Sequence, residues 1–150
     1  MDINLAEVAH PAFIDIINQL SSEEARLFKA IAISQVCPKI DIDIETIENH
    51  GFTTFYRNFI HPNLAKSVKH YKFIRTYIDN LERLNPVSCT SGSMQESYID
   101  KDLYKPLIDD DYVKNLEKTI NSETRKVTLR EGIIRVTDFG RTFHRAVTRV

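Results

Sequence analysis

Lys126-Val127-Thr128-Leu129-Arg130-Glu131-Gly132-Ile133-Ile134-Arg135-Val136-Thr137 is the stretch whose reading decides the fold. Val127 and Leu129 alternate with Thr128 and Arg130, and Ile134 and Val136 alternate with Arg135 and Thr137. With Glu131-Gly132 as a two-residue turn, the stretch folds as a hairpin that sets Leu129 against Ile134 and Val127 against Val136. One face is then apolar, and the other carries Lys126, Thr128, Arg130, Arg135 and Thr137. Thr137 stands where an N-cap is wanted, and Phe139, Phe143, Ala146, Val147 and Val150 recur at helical spacing. Arg141, Arg145 and Arg149 form a basic stripe on the same predicted helix.

Upstream, Pro11 suits a first helical turn, and Phe13, Ile16, Ile17 and Leu20 share one face. Ser21-Ser22-Glu23-Glu24 has the form of a capping box opening a second helix, with Ala25, Phe28, Ile31 and Ala32 on its apolar face until Cys37-Pro38. Ile40, Ile42 and Ile44 alternate with Asp41, Asp43 and Glu45, which predicts a short strand with one wet face. The aromatic cluster Phe52, Phe55, Tyr56 and Phe59 reads as a turn and one short helix ended by His61-Pro62. Leu64, Val68, Tyr71, Ile74, Ile78, Leu81 and Leu84 predict one long helix over 63–84. Residues 88–97 are small and polar and read as a loop, followed by a helix from about Asp110 with Val113, Leu116 and Ile120 inward. The order is helix, helix, strand, short helix, long helix, insertion, hairpin, helix. That order predicts one α+β, mostly helical, winged-helix-like domain over 1–150, with an inserted loop-helix segment at about 88–124. The long helix takes the recognition position and 126–137 the wing.

Composition sets the class. With 42% hydrophobic and 27% charged residues the chain reads as an ordinary globular protein. No apolar run is long enough for a membrane span, and Met1-Asp2-Ile3-Asn4 lacks the basic start of a signal peptide. Cys37 and Cys89 have no ligand partners at metal spacing, so a cytoplasmic location is expected. The net charge of −1 hides segments: residues 1–56 hold nine acids and three bases, and residues 57–90 two and six. Residues 91–124 hold eight acids and four bases, and residues 125–150 two and seven. The basic segments mark Lys66, Lys69, Lys72, Phe73, Thr76, Asn80 and Arg83 on the long helix, with Arg130 and Arg135 on the wing, as candidate nucleic-acid or partner contacts. In a major groove, Asn80 and Arg83 would read base edges and the lysines phosphates. The competing reading is the solvated face of an amphipathic helix.

Asp41, Asp43 and Glu45 offer the oxygen ligands of a hard cation, but half-buried strand alternation produces the same pattern. The histidines at 10, 50, 61, 70 and 144 pair with no second ligand or nucleophile at a useful interval, and four glycines leave little for a phosphate-cradling loop. Neither cofactor nor catalytic residue is expected, and the chain reads as a non-enzyme.

Three segments carry a family resemblance. They are His10-Pro11-Ala12-Phe13-Ile14 with Leu20-Ser21-Ser22-Glu23-Glu24-Ala25, then Tyr77-Ile78-Asp79-Asn80-Leu81-Glu82-Arg83-Leu84, then Val136-Thr137-Asp138-Phe139-Gly140-Arg141-Thr142-Phe143. Together they resemble the C-terminal region of the abortive-infection alpha (Abi-alpha) proteins, bacterial proteins associated with phage defence. The matching spans are roughly 10–27, 77–85 and 135–147. Family members are usually longer at the N-terminus, so the chain reads as the domain by itself. Where the family pattern continues with a glycine and an aliphatic residue, this chain has Asn85-Pro86-Val87. The family supplies no catalytic residues to carry over. The resemblance implies a cytoplasmic phage-defence module acting through protein interaction or self-association; the alternative is a winged-helix DNA-binding transcriptional regulator.

Overall fold

The computed structural model describes residues 11–34, 36–92 and 101–148. In chain order they form α1 (Pro11–Gln19), α2 (Ser22–Ser34), β1 (Val36–Thr46), β2 (Phe52–Ile60) and α3 (Pro62–Ala65). A 3-10 turn (Tyr71–Phe73) leads into α4 (Ile74–Arg83) and β3 (Val87–Ser91). A second 3-10 turn (Lys101–Tyr104) precedes α5 (Lys105–Ile108), α6 (Asp111–Ile120), β4 (Arg125–Val136) and α7 (Asp138–Thr148). The class is α+β, with an antiparallel sheet in the order β2-β1-β4-β3. Contacts divide the chain into two compact units. The first comprises 1–36, 62–88 and 135–150; the second comprises 37–61 and 89–134.

The first unit is helical. Its helices start where side chains can cap them: the Ser21 hydroxyl accepts from the Glu24 amide at 3.1 Å and donates to the Glu24 carboxylate at 3.1 Å. The Thr137 hydroxyl accepts from the Gly140 amide at 2.9 Å and opens α7. Phe13 of α1 lies 5.5 Å from Phe139 and 5.7 Å from Phe143 of α7, and Phe28 of α2 lies 5.8 Å from Phe143. Leu27, Ile31, Ile74, Ile78 and Leu81 complete the core.

The expected long helix over 63–84 is not continuous. α3 ends after one turn, and α4 begins only at Ile74. Ser67 turns its hydroxyl back onto the Leu64 carbonyl at 2.7 Å, and the Lys69 amide donates to the Glu23 carboxylate at 2.5 Å. A side chain from another helix thus takes a backbone donor that a continuous helix would use itself.

The second unit is built on β1 and β2, a hairpin turned through Asn49-His50-Gly51. The Gly51 amide donates to the Asn49 side chain at 2.9 Å. The expected short helix at 52–59 is therefore a strand, as its aromatic and threonine content favours. Register shifts fall between Ile40 and Ile42 and between Ile42 and Asp43, and Asn58 bulges out with φ 63°. Ile40, Ile42, Phe59, Tyr104, Leu107 and Val113 form the core, flanked by Val127, Leu129 and Leu116. α6 starts where the sequence places it, with the Asp110 carboxylate accepting from the Tyr112 amide at 2.9 Å.

The predicted wing does not form. Residues 125–136 are one continuous strand, so Leu129 and Ile134 sit five residues apart on β4 and are not cross-strand partners. Primed hairpin turns need a positive φ at their first central residue, which Glu131 resists. Gly132 serves close approach instead: a Cβ there would fall on the Thr90 carbonyl oxygen of β3. The loop expected over 88–97 begins instead as the strand β3 (Val87–Ser91), and its residues 93–97 lie outside the described residues, as do 98–100, Arg149 and Val150.

Candidate functional site

The three motif segments converge in the first unit, and the convergence is structural. The Asn80 side-chain amide donates to the Glu24 carboxylate and, at 3.3 Å, to the Gln19 carbonyl. Arg83 donates to the Asn80 side-chain Oδ1 at 2.7 and 3.0 Å and to the Gln19 side chain at 3.2 Å. Just past the same end of α4, the Thr137 hydroxyl donates to the Asn85 carbonyl at 2.6 Å, and its amide to the Pro86 carbonyl at 3.0 Å. Gly140 passes so close to that carbonyl that any Cβ would collide with it. Asn80 and Arg83, the expected base readers, are thus spent clamping α4 to the α1–α2 junction.

The other expected contacts separate. Lys66, Lys69, Lys72, Phe73 and Thr76 are exposed, with the Lys72 ammonium 5.1 Å from the centre of the Phe73 ring. Arg135 is exposed near the end of β4. Arg130 belongs to the second unit, where its Nε donates to Asp43 at 2.5 Å and its guanidinium lies 5.5 Å from the Phe52 ring.

Arg130 leads to a cluster that composition did not reveal. Lys39 is 1% exposed and Asp41 and Asp43 2% each, so the wet strand face expected of β1 is buried. Buried charges need partners, and these have them. Lys39 Nζ donates to Asp41 at 2.9 Å and to Ser91 Oγ at 2.5 Å; Ser91 donates to Asp41 at 2.6 Å, and the Asn58 amide donates to Asp41 at 2.9 Å. Burial raises the Asp41 pKa, but the Ser91 hydroxyl, the Asn58 amide and the Lys39 ammonium together hold it below the usual aspartate range. Serine beside lysine is a nucleophile–base pairing in some hydrolases. Here Lys39 Nζ contacts both Ser91 and Asp41, and the Ser91 hydroxyl donates to Asp41 and not to the lysine. The cluster works as a polar pin across β1, β3 and β4. Its signal was present at Lys39, Asp41 and Asp43, whose period of two sets a cation and two acids on one strand face.

The first unit also carries an apolar groove of about 410 Å³ whose walls include Ile17, Leu20, Ala25, Phe28, Phe143 and Val147. Ile17 and its neighbour one turn back, Ile14, are 51% and 47% exposed.

Comparison with known proteins places the chain. The abortive infection alpha family matches it over residues 1–147, well beyond the three motif segments. The chain belongs to that family. No curated protein sequence matches this abortive infection alpha chain. An uncharacterized protein from the hydrocarbon-degrading marine bacterium Alcanivorax borkumensis SK2 has a similar structure, with a TM-score of 0.58 at 15% identity. The match covers 99% of the abortive infection alpha chain and 99% of the other, a likeness of fold alone. Among the described residues no helix is long and apolar enough to cross a membrane.

Proposed function

We propose that this chain serves abortive infection as a self-associating module that performs no reaction of its own. Family membership supports the context, and the observation that carries the mode of action is the apolar surface of α1. Ile17 stands on the rim of the groove and Ile14 one turn back on the same helix, both half exposed, so a projecting side chain and a hole lie side by side. A two-fold dimer requires one self-complementary patch, and this one offers both halves. The DNA-binding reading loses its supports, since neither a wing hairpin nor a continuous recognition helix is present and Asn80 and Arg83 are engaged internally.

Light scattering over a concentration series is expected to show a dimer. The double variant Ile14→Asp/Ile17→Asp is expected to be a folded monomer by circular dichroism and to lose the protection that the parent chain gives a bacterial host in a phage plaquing assay. A parent chain that stays monomeric at the highest concentration, or a double variant that keeps both dimer and protection, overturns the reading.

A further inference from the structure

A second concavity of the first unit adjoins the apolar groove, with His144 between the two, and the inference drawn from it does not rest on the self-association reading. It is a cleft of about 500 Å³ lined by Ala32 of α2, Val136 at the end of β4, and Arg141, His144 and Arg145 of α7. The three nitrogen-bearing side chains fall at i, i+3 and i+4, so one wall of the cleft is a single helix face. Among the described residues no carboxylate lines it, although Asp138 pairs with the lining Arg141 from outside. Its volume lies within the range that takes a small organic ligand.

We propose that this cleft binds a phosphate ester of nucleotide size. Arg141 is already positioned: its guanidinium donates to the Val136 carbonyl at 3.2 Å and pairs with Asp138, whose side chain is otherwise turned to solvent. Arg145 differs, because among the described residues its guanidinium meets neither a carboxylate nor a hydrogen-bond acceptor. A planar fork of donors on a cleft wall matches the oxygens of a phosphate group. His144 stands between the two arginines on the cleft wall. Its Nε2 is shut off from solvent and has no hydrogen-bond partner among the described residues, while its ring packs edge-on against Phe28 at 6.0 Å. Among the described residues Ala32 and Val136 make the rest of the wall apolar, which suits the carbon part of an ester better than a bare inorganic ion. The charge of the unit agrees: its three segments carry eleven bases against eight acids, whereas the second unit carries nine against thirteen.

Isothermal titration calorimetry on the full chain tests this with three probes: AMP, adenosine and inorganic phosphate. AMP is expected to bind, inorganic phosphate about tenfold more weakly, and adenosine not at all. Arg145→Gln is expected to weaken AMP binding about tenfold or more at an unchanged melting temperature, with Arg145→Lys restoring only part, since an ammonium supplies charge without the fork. The chain's dimerisation is expected to be untouched by Arg145→Gln. The proposal is overturned if AMP gives no heat at millimolar concentration, if adenosine or inorganic phosphate binds as tightly as AMP, or if Arg145→Gln binds AMP like the parent.

Discussion

Asn85 shows how a departure from the family pattern is absorbed at a single residue. It follows the last turn of α4 with φ 78°, and its amide donates to the Glu82 carbonyl at 3.0 Å. This is the left-handed position that ends many helices, where glycine is preferred and asparagine is the usual substitute. The sequence resemblance puts a glycine here, and the backbone explains why asparagine serves. Asn85→Gly is therefore expected to stay within about 1 kcal/mol of the parent in denaturant unfolding. Asn85→Val is expected to lose about 1–2 kcal/mol or more, because a β-branched side chain resists positive φ. Equal stability for the two variants would refute the assignment. Asn85-Pro86 was legible in the sequence as a helix stop, since proline cannot continue the helix. The clamp made by Asn80 and Arg83 was not, because their partners Gln19 and Glu24 are remote in sequence and an exposed-looking helix face gives no sign of them.

At the scale of elements, helices were read well wherever a cap accompanied the period, as at Ser21, Asp110 and Thr137. Strands were misread where pairing, not local pattern, decides. Glu131-Gly132 has a glycine where a turn would use one, but β4 runs straight through because Gly132 lets β3 approach. β2 hides its strand character although Thr53, Thr54, Phe55 and Tyr56 are strand formers, because its bulges spoil the alternation. Gly132→Ala tests the close approach. The new methyl meets the Thr90 backbone and the stem of the buried Lys39, neither of which yields easily, so a loss of about 1–3 kcal/mol is expected. Gly51→Ala is the control, because its methyl meets only the Asn49 side chain in an exposed turn, and a change within about 0.5 kcal/mol is expected. Chemical denaturation of both variants decides the matter, and a silent Gly132→Ala would mean the strand is not packed as described.

For the whole molecule, both units depend on carboxylates that must stay ionised, which sets how the chain responds to acid. In the first unit Glu23 is held below the usual glutamate range, chiefly by the Lys69 amide and further by Arg26 and His70, against the opposing pull of burial. In the second, Asp41 is held below the aspartate range despite its burial, by Ser91, Asn58 and Lys39. A folded pKa below the unfolded one means the unfolded chain takes up protons first as pH falls. The stabilisation is therefore complete above the ordinary value, 4.5 for Glu23 and 3.8 for Asp41, and is lost as pH drops through the lower folded values. Urea midpoints are expected to change little on this account between about pH 7 and pH 5 and to fall steadily below about pH 4.5. Added salt should not abolish the Asp41 part, because that carboxylate is shut away from solvent. Asp41→Asn separates the two contributions. It leaves the Lys39 ammonium buried without its counter-charge and is expected to cost about 3–5 kcal/mol at neutral pH. It should also remove the steeper loss below about pH 3.8, leaving the Glu23 dependence in place. A stability profile flat to about pH 3, or an Asp41→Asn variant with the parent's full acid sensitivity, would show that the buried pin does not contribute as its geometry requires.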